Sequence, residues 1–348
     1  METGTVLKWE MDGAKSKGFG FLETRTGERV FCHRTAIKDG NSLWPGSLVT
    51  FRSEENDGRF KASECLGGVC FDHQFHKACR HASNKCKFSH AEPSMPVELS
   101  LDETVAAVAA CSSTPPVLVD TVEACQRECA RLAASGVVAV DFEGVDLCRD
   151  GELLLAQLAA ADGPVVLIDV HKLGEAAFAE GGLRELLQSQ QVLKLIFDGR
   201  SDSDALYHLH KCRLRQVCDI QVLFTLHLDF ASTTGKPMTH LSGLDRALGA
   251  CASIPARDGE ALRSLKRACK KLFVPDCGGS YEVWRQRPLH PALVLYACAD
   301  VQYLHRMRDE WAPLLPDEKM FEITNIRIEK AVGGEGRAKG PKMAERDF

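Results

Sequence analysis

Two carboxylates follow an apolar segment near the middle of the chain. Residues 137–140 are small and β-branched and come directly after Ser135-Gly136, which is the pattern of a strand buried in a sheet. Alternate side chains of a strand point to the same face, so we expect Asp141 and Glu143 to lie side by side. Two like charges this close repel each other unless a cation lies between them, and a divalent metal ion is the usual one. The alternative is a strand that ends in a solvated acidic loop.

Three more polar residues lie where such a site could use them. Residues 193–197 predict a second buried strand, and Asp202 follows in an aspartate-rich turn before a helical pattern. Helix capping is the alternative role for Asp202. Further along, residues 295–301 have helical periodicity, which places Tyr296 and Asp300 on one helix face because they are four positions apart.

The order of these residues along the chain resembles the DEDD superfamily of 3′–5′ exonucleases, in the tyrosine-bearing branch that contains ribonuclease D. Three motifs carry the resemblance, and they are Asp141-x-Glu143, a second that ends in Asp202, and Tyr296-x-x-x-Asp300. Residues 197–207 look most like the Egalitarian-like subgroup, although Gly199 stands where that subgroup usually has cysteine. The resemblance covers about residues 116–316 and implies a C-terminal α/β exonuclease domain of the ribonuclease H-like fold.

The resemblance also implies a mechanism that uses two Mg²⁺ or Mn²⁺ ions. Asp141, Glu143 and Asp300 would hold the first ion, which lowers the pKa of the attacking water. Asp141 would bridge to the second ion, and Asp202 would support that ion directly or through water. Tyr296 would orient the attacking water, and the product would be a nucleoside 5′-monophosphate released from a 3′ end.

Residues 1–66 alternate apolar and polar side chains between glycine and aspartate turns. Five short strands with this spacing predict a closed antiparallel barrel of the OB type. Phe19 and Phe21 share one face and are separated only by a glycine, with lysines beside them. Aromatic rings among lysines form a platform on which unpaired bases stack. The alternative for these rings is an ordinary core strand.

The same segment resembles a cold-shock domain, since residues 17–22 match its first nucleic-acid motif and residues 30–33 match its second. One departure is Glu10, which stands where the family usually has the phenylalanine of a Trp-Phe pair. An acid in place of a stacking ring is expected to weaken or redirect binding. The residues that we expect to contact nucleic acid in this segment are Lys8, Trp9, Lys17, Phe19, Phe21, Phe31 and His33.

Three cysteines and a histidine follow in the spacing C-x8-C-x6-C-x3-H, as Cys70, Cys79, Cys86 and His90. Three thiolates and one imidazole complete the tetrahedral shell of a structural Zn²⁺ ion. A segment this short has almost no apolar core and needs such a cross-link to fold. The spacing resembles CCCH zinc fingers, which typically bind single-stranded RNA, and Phe88 is positioned to stack on a base. His76 or His81 as the fourth ligand is the alternative.

The remaining segments complete a multidomain organisation. Residues 67–92 are predicted to be the zinc finger, and residues 93–115 a linker with one short helix near 101–110, because proline steps interrupt the segment. Helices and strands alternate after residue 116, which predicts an α/β domain with a mixed sheet that ends at residue 316. Residues 317–348 are predicted to be a largely disordered tail, because glycine and charged residues dominate its end.

Composition limits the classes of protein to which this chain can belong. With a net charge of −5 and a pI near 6.2, it cannot bind nucleic acid by bulk charge, so binding must rely on local patches. Most of its 15 cysteines lie singly in apolar segments, which indicates reduced thiols rather than a disulfide framework. The N-terminus lacks the pattern of a signal peptide, and no apolar run is long enough for a membrane helix. We therefore expect a soluble intracellular protein, cytoplasmic or nuclear, without a membrane partner.

These observations together predict a two-metal 3′–5′ exonuclease that acts on single-stranded nucleic acid, RNA before DNA, with two N-terminal modules that capture the substrate. Two alternatives stay open. The first is a non-catalytic RNA-binding adaptor with an exonuclease fold, which the Egalitarian-like resemblance suggests and the intact catalytic positions oppose. The second is an exonuclease of single-stranded DNA, since cold-shock barrels accept both polymers.

Overall fold

The computed structural model of the protein describes residues 1–12, 17–24, 28–56, 59–76, 79, 86–94, 100–111, 114–231, 237–334 and 345–348. Internal contacts divide the chain into two compact units. The first unit contains residues 1–98 together with 231–237, and the second contains residues 99–230 and 238–348. No helix among the described residues is both long and apolar enough to span a lipid bilayer.

The first unit is built around a closed five-stranded barrel. Its strands are β1 (Glu2–Asp12), β2 (Lys17–Thr24), β3 (Arg29–His33), β4 (Leu48–Asn56) and β5 (Arg59–Leu66). They are joined in the order β1-β2-β3-β5-β4, with β1 also paired to β4; the β3–β5 pair is parallel and the other described pairs are antiparallel. Val6, Leu22 and Phe51 point inward and are almost completely buried. The closed barrel that the alternating pattern predicted is confirmed.

The segment after the barrel packs back onto it. The Asp39 carboxylate accepts hydrogen bonds from the amides of Gly67 and Gly68, at 2.7 and 2.8 Å. Asn41 Oδ1 accepts the amide of Phe71 at 2.8 Å, at the start of the short helix α1 (Phe71–His76). These bonds set the direction in which the chain leaves β5. The barrel and the cysteine-containing segment therefore lie in one compact unit rather than in two independent modules.

The second unit is an α/β domain. Its strands are β6 (Val117–Val119), β7 (Val137–Val145), β8 (Glu152–Ala159), β9 (Val166–Ile168), β10 (Leu193–Ile196) and β11 (Val217–Asp219). They form a mixed sheet in the order β11-β10-β7-β8-β9-β6, in which β8 is antiparallel to both of its neighbours and the other pairs are parallel. The predicted mixed sheet is therefore confirmed.

Twelve described helices accompany this sheet. They are α2 (Leu101–Ala109), α3 (Val122–Ala134), α4 (Val170–Leu173), α5 (Glu175–Ala179), α6 (Leu183–Gln188), α7 (Arg200–His210), α8 (Ile220–Ala231), α9 (Leu244–Ala250), α10 (Ala256–Phe273), α11 (Pro291–Val301), α12 (Leu304–Trp311) and α13 (Asp317–Gly333). Short 3-10 helices also occur in the chain, at Arg34–Ala36, Pro275–Cys277, Tyr281–Arg285 and Ala312–Leu314.

Strand β7 runs through the middle of the sheet and separates two apolar layers. Val138 and Val140 belong to the layer that contains α3, α5 and α6, whereas Ala139 belongs to the layer that contains α8, α10 and α11. Because side chains alternate along a strand, Asp141 and Glu143 point to the same side as Ala139. The alternation therefore directs both carboxylates toward α10 and α11.

Part of the predicted linker belongs to the second unit. Ser100 and Glu103 form a reciprocal capping box at the start of α2, in which each side chain accepts a backbone amide of the other residue. Val108 of the same helix is buried in the layer that contains α10 and α11. Helix α2 therefore belongs to the second compact unit, although it precedes residue 116, where the exonuclease domain is predicted to begin.

The prediction of a largely disordered tail is wrong for residues 317–334. They form α13 and its cap, and α13 packs against α7 and β11 with Thr324 and Arg327 buried. Because these two buried residues are polar, the hydrophobic periodicity of the segment is weak and did not indicate a packed helix. The end of the chain also contacts this unit, since Arg346 forms an ion pair with Asp229 at 2.7 Å. Residues 335–344 lie outside the described part.

Candidate active site

The end of β7 holds Asp141 and Glu143 on one face of the sheet. A register shift follows directly after Glu143, where β7 and β8 approach closely. Gly144 permits that approach, because a Cβ atom at this position would lie 1.8 Å from the carbonyl oxygen of Glu152. The glycine that follows the two acids in the sequence is therefore part of what positions them.

Helix α11 supplies two more of the predicted residues, Tyr296 and Asp300. The helix begins with Pro291, at a position where no amide donor is needed, and the His290 side chain caps this end. Tyr296 and Asp300 lie one turn apart on the same face, and both are buried. Burial, and then the charge of Asp300, raises the pKa of Tyr296 well above its usual value, so the hydroxyl stays protonated.

Three carboxylates meet between β7 and α11. Asp141, Glu143 and Asp300 each place an oxygen atom within 4.8 Å of the other two. Burial, and then the negative charge of Asp300, raises the pKa of Asp141 and of Glu143 well above the usual range. Oδ2 of Asp300 is buried and has no hydrogen-bond partner in the described part of the chain. Oxygen ligands with excess negative charge and an unsatisfied buried acceptor fit a divalent cation such as Mg²⁺ or Mn²⁺.

Asp202 lies outside this 4.8 Å group, in the first turn of α7. Its side chain is buried, and burial together with the charge of Asp198 raises its pKa to about 8. The charge of Asp300 also contributes to that shift, so the two carboxylates influence each other. The N-terminal cap of α7 is Gly199, which makes no side-chain hydrogen bond, so Asp202 is not the capping residue.

A lysine that the sequence analysis did not identify enters the same cluster. Lys266 lies on α10 and is buried, and its Nζ atom forms an ion pair with Oδ1 of Asp300. The same Nζ atom lies 4.2 Å from the centroid of the Tyr296 ring. Several basic residues share α10, among them Lys270 one turn later, so the sequence offers no signal that separates Lys266 from surface lysines.

A buried network of ion pairs supports the turn before Asp202. Asp198 has φ +62°, which few residues other than glycine adopt. Its carboxylate accepts Nε of Arg200 at 2.6 Å, and its amide donates to Oδ1 of Asp219 at 2.9 Å. Asp219 in turn forms an ion pair with Arg327 of α13. The sequence analysis missed Asp219 and Arg327 as partners, because they come from segments that are distant along the chain.

The candidate zinc ligands lie together in the first unit. Cys70, Cys79, Cys86 and His90 place their ligand atoms within 4.8 Å of one another. The Sγ atom of Cys70 is 3.7 Å from the Sγ atoms of Cys79 and Cys86. Tetrahedral Zn–S bonds of about 2.3 Å require sulfur atoms about 3.8 Å apart. Nε2 of His90 is buried without a hydrogen-bond partner among the described residues, so the set fits a closed Zn²⁺ site.

The surroundings of this cluster bear on the alternatives for the fourth ligand. His90 is the imidazole in the group, and the ring of His73 stacks on it with centroids 4.1 Å apart. His81 and the side chain of His76, the two alternatives, lie outside what the structure describes. Beside the cluster, Phe88 is partly buried and its ring centroid lies 5.1 Å from Nζ of Lys87.

One face of the barrel carries aromatic side chains from β2 and β3. Phe19 is 39% exposed, and its ring centroid lies 6.2 Å from that of Phe31. Phe21 lies directly opposite Phe31, with ring centroids 5.9 Å apart, and His33 lies opposite Phe19. The guanidinium of Arg29, which the sequence analysis did not include, lies 4.6 Å from the centroid of the Phe21 ring. This combination of rings and a cation fits contact with bases and phosphates.

Strand β1 contributes charge to the aromatic face. Lys8 and Glu10 lie opposite the two phenylalanines of β2, and their side chains form an ion pair at 2.5 Å. Trp9 lies opposite Gly20, and its ring packs against the barrel core. The structure therefore does not bring Trp9 to the aromatic face. The side chain of Lys17 lies outside the described part.

Two domain families match this chain. The 3′–5′ exonuclease family matches residues 116–316, which is more than half of the chain. The 'Cold-shock' DNA-binding domain matches residues 2–67. The resemblances to 3′–5′ exonucleases and to cold-shock domains are thereby confirmed.

Two curated relatives match just over half of the chain at about 30% identity and carry the same name. The piRNA biogenesis protein EXD1 of Mus musculus is 32% identical over 196 residues, which are 55% of this chain and 31% of the relative. The Homo sapiens protein of that name is 29% identical over 191 residues, which are 55% of this chain and 34% of the relative. This chain therefore spans about a third of the length of these relatives.

Solved structures of Trypanosoma brucei RNase D share the fold. Its complex with GMP has a TM-score of 0.54 at 22% identity and covers 69% of this chain and 70% of that chain. Its complex with RNA U12 has a TM-score of 0.53 at 21% identity, over 71% of this chain and 80% of that chain. Because the exonuclease family matches more than half of its residues, the chain belongs to the family of 3′–5′ exonucleases and carries an N-terminal cold-shock domain.

Proposed function

We propose that this protein is a metal-dependent 3′–5′ exonuclease that shortens single-stranded RNA from its 3′ end and releases nucleoside 5′-monophosphates. The observation that supports the proposal most directly is the group of Asp141, Glu143 and Asp300, with oxygen atoms within 4.8 Å of one another. Phosphodiester hydrolysis needs an activated water and a stabilised leaving oxygen. A carboxylate cluster that holds divalent metal ions serves both needs.

The five predicted residues have distinct roles in this proposal. Asp141, Glu143 and Asp300 would hold one Mg²⁺ or Mn²⁺ ion, and Asp202 would support a second ion that Asp141 also binds. When bound, these ions activate the attacking water and neutralise the charge that develops on the phosphate. Tyr296 would orient that water through its hydroxyl group, which burial keeps protonated by raising its pKa well above the usual value.

RNA is the proposed substrate because two kinds of relative point to it. The RNase D neighbour has been solved with RNA U12, and the curated relatives are named for piRNA biogenesis. We assign capture of the strand to the first unit, where Phe19, Phe21 and Phe31 would stack on bases. Phe88 of the finger would offer a further ring on which a base could stack.

The zinc finger is proposed to hold one structural Zn²⁺ ion. Its ligands would be Cys70, Cys79, Cys86 and His90, and all four positions are filled by protein atoms, so no place remains for a reactive water. The ion would stabilise the finger and take no part in hydrolysis. The barrel (1–66), the finger (67–92) and the exonuclease domain (116–316) would then share the work of binding and cleavage.

The proposal is tested by incubating single-stranded RNA with Mg²⁺ or Mn²⁺ and following its length. The wild-type protein should produce a ladder of shorter products and nucleoside 5′-monophosphates, and a blocked 3′ end should prevent this. Asp141→Asn should abolish the ladder, whereas Asp162→Asn, in an exposed loop after β8, should leave it unchanged. A wild-type protein that binds the RNA and never shortens it with either ion would contradict the proposal.

A non-catalytic RNA-binding adaptor is the second candidate, and one contact favours it. The ammonium group of Lys266 is paired with Asp300, so part of the negative charge that a metal ion requires is already neutralised. In an adaptor, RNA binding would persist without shortening and would not change in Asp141→Asn. Single-stranded DNA of the same sequence, assayed in parallel, separates the RNA exonuclease from a DNA exonuclease.

A further inference from the structure

A buried lysine lies inside the candidate metal site, and the proposed reaction does not use it. Lys266 extends from α10 with a side chain that is 6% exposed, and its Nζ atom touches Oδ1 of Asp300. Buried lysines are rare unless they are paired, so this side chain is held in place by the acids around it. The centroid of the Tyr296 ring lies 4.2 Å from the same Nζ atom, so the ring adds a cation–π contact.

Two of the three acids whose charges stabilise Lys266 are proposed metal ligands, and the third is Asp245. The charges of Asp300, Asp245 and Asp141 all stabilise its ammonium group, and its positive charge in turn acts on Asp141 and Glu143. A divalent ion at the proposed site would bind two of the carboxylates, those of Asp141 and Asp300, that stabilise the ammonium group of Lys266. Two cations at one carboxylate repel each other strongly where solvent is excluded.

We propose that Lys266 is a built-in counter-ion of this site, which competes with the divalent ion for Asp300 and must move away from that carboxylate when the ion binds. The inference rests on the proposed metal site and deepens it by naming a residue that limits its occupancy. It follows that Lys266 lowers the affinity of the site for Mg²⁺ and Mn²⁺. The ion and the lysine ammonium group compete for the same carboxylate. Contact of Lys266 with Asp300 therefore lowers the affinity for the ion, and binding of the ion weakens that contact in turn.

The two carboxylate oxygens of Asp300 differ in their contacts, which indicates how a metal ion could replace Lys266. Oδ1 of Asp300 is paired with Lys266, while Oδ2 is buried without a hydrogen-bond partner among the described residues. Oδ2 is therefore the atom of Asp300 that would be available to a divalent ion, together with Asp141 and Glu143. The positive charge of such an ion would weaken the ion pair at Oδ1 and favour release of Lys266.

The test is Mn²⁺ binding to full-length protein, measured by calorimetry and by the signal of free Mn²⁺ in electron paramagnetic resonance. Lys266→Met keeps the length and apolar character of the side chain and removes its charge. We expect Lys266→Met to bind Mn²⁺ about ten-fold more tightly or better, as removal of one nearby unit charge from a partly screened site implies. Asp141→Asn identifies which part of the binding belongs to this site.

The matched control is Lys270→Met. Lys270 lies one turn after Lys266 on α10, and its Nζ atom pairs with Asp245 at 3.3 Å instead of Asp300. It should change the Mn²⁺ affinity much less than Lys266→Met does. A second neutral variant, Lys266→Gln, retains a donor for Asp300 and guards against misfolding of the methionine variant. Both neutral variants should also show a larger rise in melting temperature on addition of Mn²⁺ than the wild type.

The outcomes separate this inference from the proposed function. Unchanged or weaker Mn²⁺ binding in both neutral variants overturns the competition, and weaker binding would mean that Lys266 holds the carboxylates in place. Absence of Mn²⁺ binding in every variant also overturns it. If the wild type binds Mn²⁺ through Asp141 and the neutral variants bind it more tightly, the competition stands even when no RNA is shortened.

Discussion

Arg327 of α13 forms an ion pair with Asp219 at the end of β11, and both side chains are almost completely buried. Asp219 also accepts the amide of Asp198, at the start of the turn that leads to Asp202. Helix α13 lies beyond residues 116–316, the part that matches the exonuclease family. A segment outside the family match therefore supports one of the acidic motifs inside it.

The pair between Arg327 and Asp219 should be essential for stability. Arg327→Met leaves Asp219 buried without its counter-charge, so the free energy of unfolding of the second unit should fall by about 3–5 kcal/mol. Urea unfolding followed by circular dichroism measures this change. The control is Arg213→Met, because Arg213 pairs at 2.8 Å with the exposed Glu329 and should contribute at most about 1 kcal/mol. Equal losses in the two variants would contradict the expected role of burial.

Tyr296→Phe should slow cleavage without weakening metal binding. The substitution removes the hydroxyl that would orient the attacking water and keeps the ring, which packs on Phe273 with centroids 5.1 Å apart. Loss of such a positioning group should slow the cleavage step about 10²-fold or more. Single-turnover assays measure the rate, and Mn²⁺ titration measures the affinity. Tyr303→Phe is the control, since that hydroxyl bonds to Asp258 at 3.2 Å, and a wild-type rate in Tyr296→Phe would remove the tyrosine from the mechanism.

Stability without Mg²⁺ or Mn²⁺ should fall as the pH rises. Burial raises the pKa of Asp202 to about 8 and that of Asp141 and Glu143 well above usual values, so the folded state retains protons that the unfolded state releases. The stabilising contribution of these groups is therefore complete below about pH 4 and is lost as the pH rises toward 8. Thermal unfolding at pH 5 and pH 8, with zinc retained, measures the difference.

Ionisation of these carboxylates also determines how strongly Mn²⁺ stabilises the protein. Divalent ions bind ionised carboxylates, so Mn²⁺ should raise the melting temperature more at pH 8 than at pH 5. Asp202→Asn removes one titrating group and should reduce the fall in stability between these pH values. A melting temperature that is the same at both pH values in wild type and variant would show that these carboxylates do not titrate as expected.

The purified protein should contain one Zn²⁺ ion per chain. Cys86→Ser removes one of the four ligands and should reduce the zinc content to near zero, because a closed tetrahedral site loses most of its affinity with a ligand. Elemental analysis measures the content, and the reactivity of the released thiols confirms opening of the site. Cys277→Ser is the control, since that thiol is exposed and lies outside the cluster. Retention of zinc in Cys86→Ser would refute the assigned ligand set.

Phe19→Ala should weaken binding of single-stranded RNA by about 1–3 kcal/mol, the usual contribution of one stacked base. Fluorescence anisotropy with a labelled oligonucleotide measures the affinity. Leu66→Ala is the control, because Leu66 is an exposed apolar residue of similar accessibility at the end of β5. Glu10→Phe should act in the opposite direction, since it restores a ring and releases Lys8 from its ion pair. Equal affinities in all four proteins would exclude this face of the barrel as the binding surface.

Much of this protein follows from local sequence. Alternation in residues 1–66 specified a barrel, because inward and outward positions of a closed sheet differ in polarity at every second residue. The run before Asp141 specified a buried strand, and its period of two placed Asp141 and Glu143 on one face. The helical spacing of Tyr296 and Asp300 similarly placed them on one side of α11.

Only the tertiary structure decided which distant groups meet. Lys266 reaches Asp300 from another helix, and Arg327 reaches Asp219 from a segment whose sequence indicated disorder. The strand register, too, turned Trp9 toward the barrel core and away from the aromatic face. Periodicity reports the environment of a side chain along its own element, whereas a buried ion pair depends on how two elements pack. For this reason the sequence determined the strands, helices and acidic motifs, and the packing of α10 and α13 determined what surrounds them.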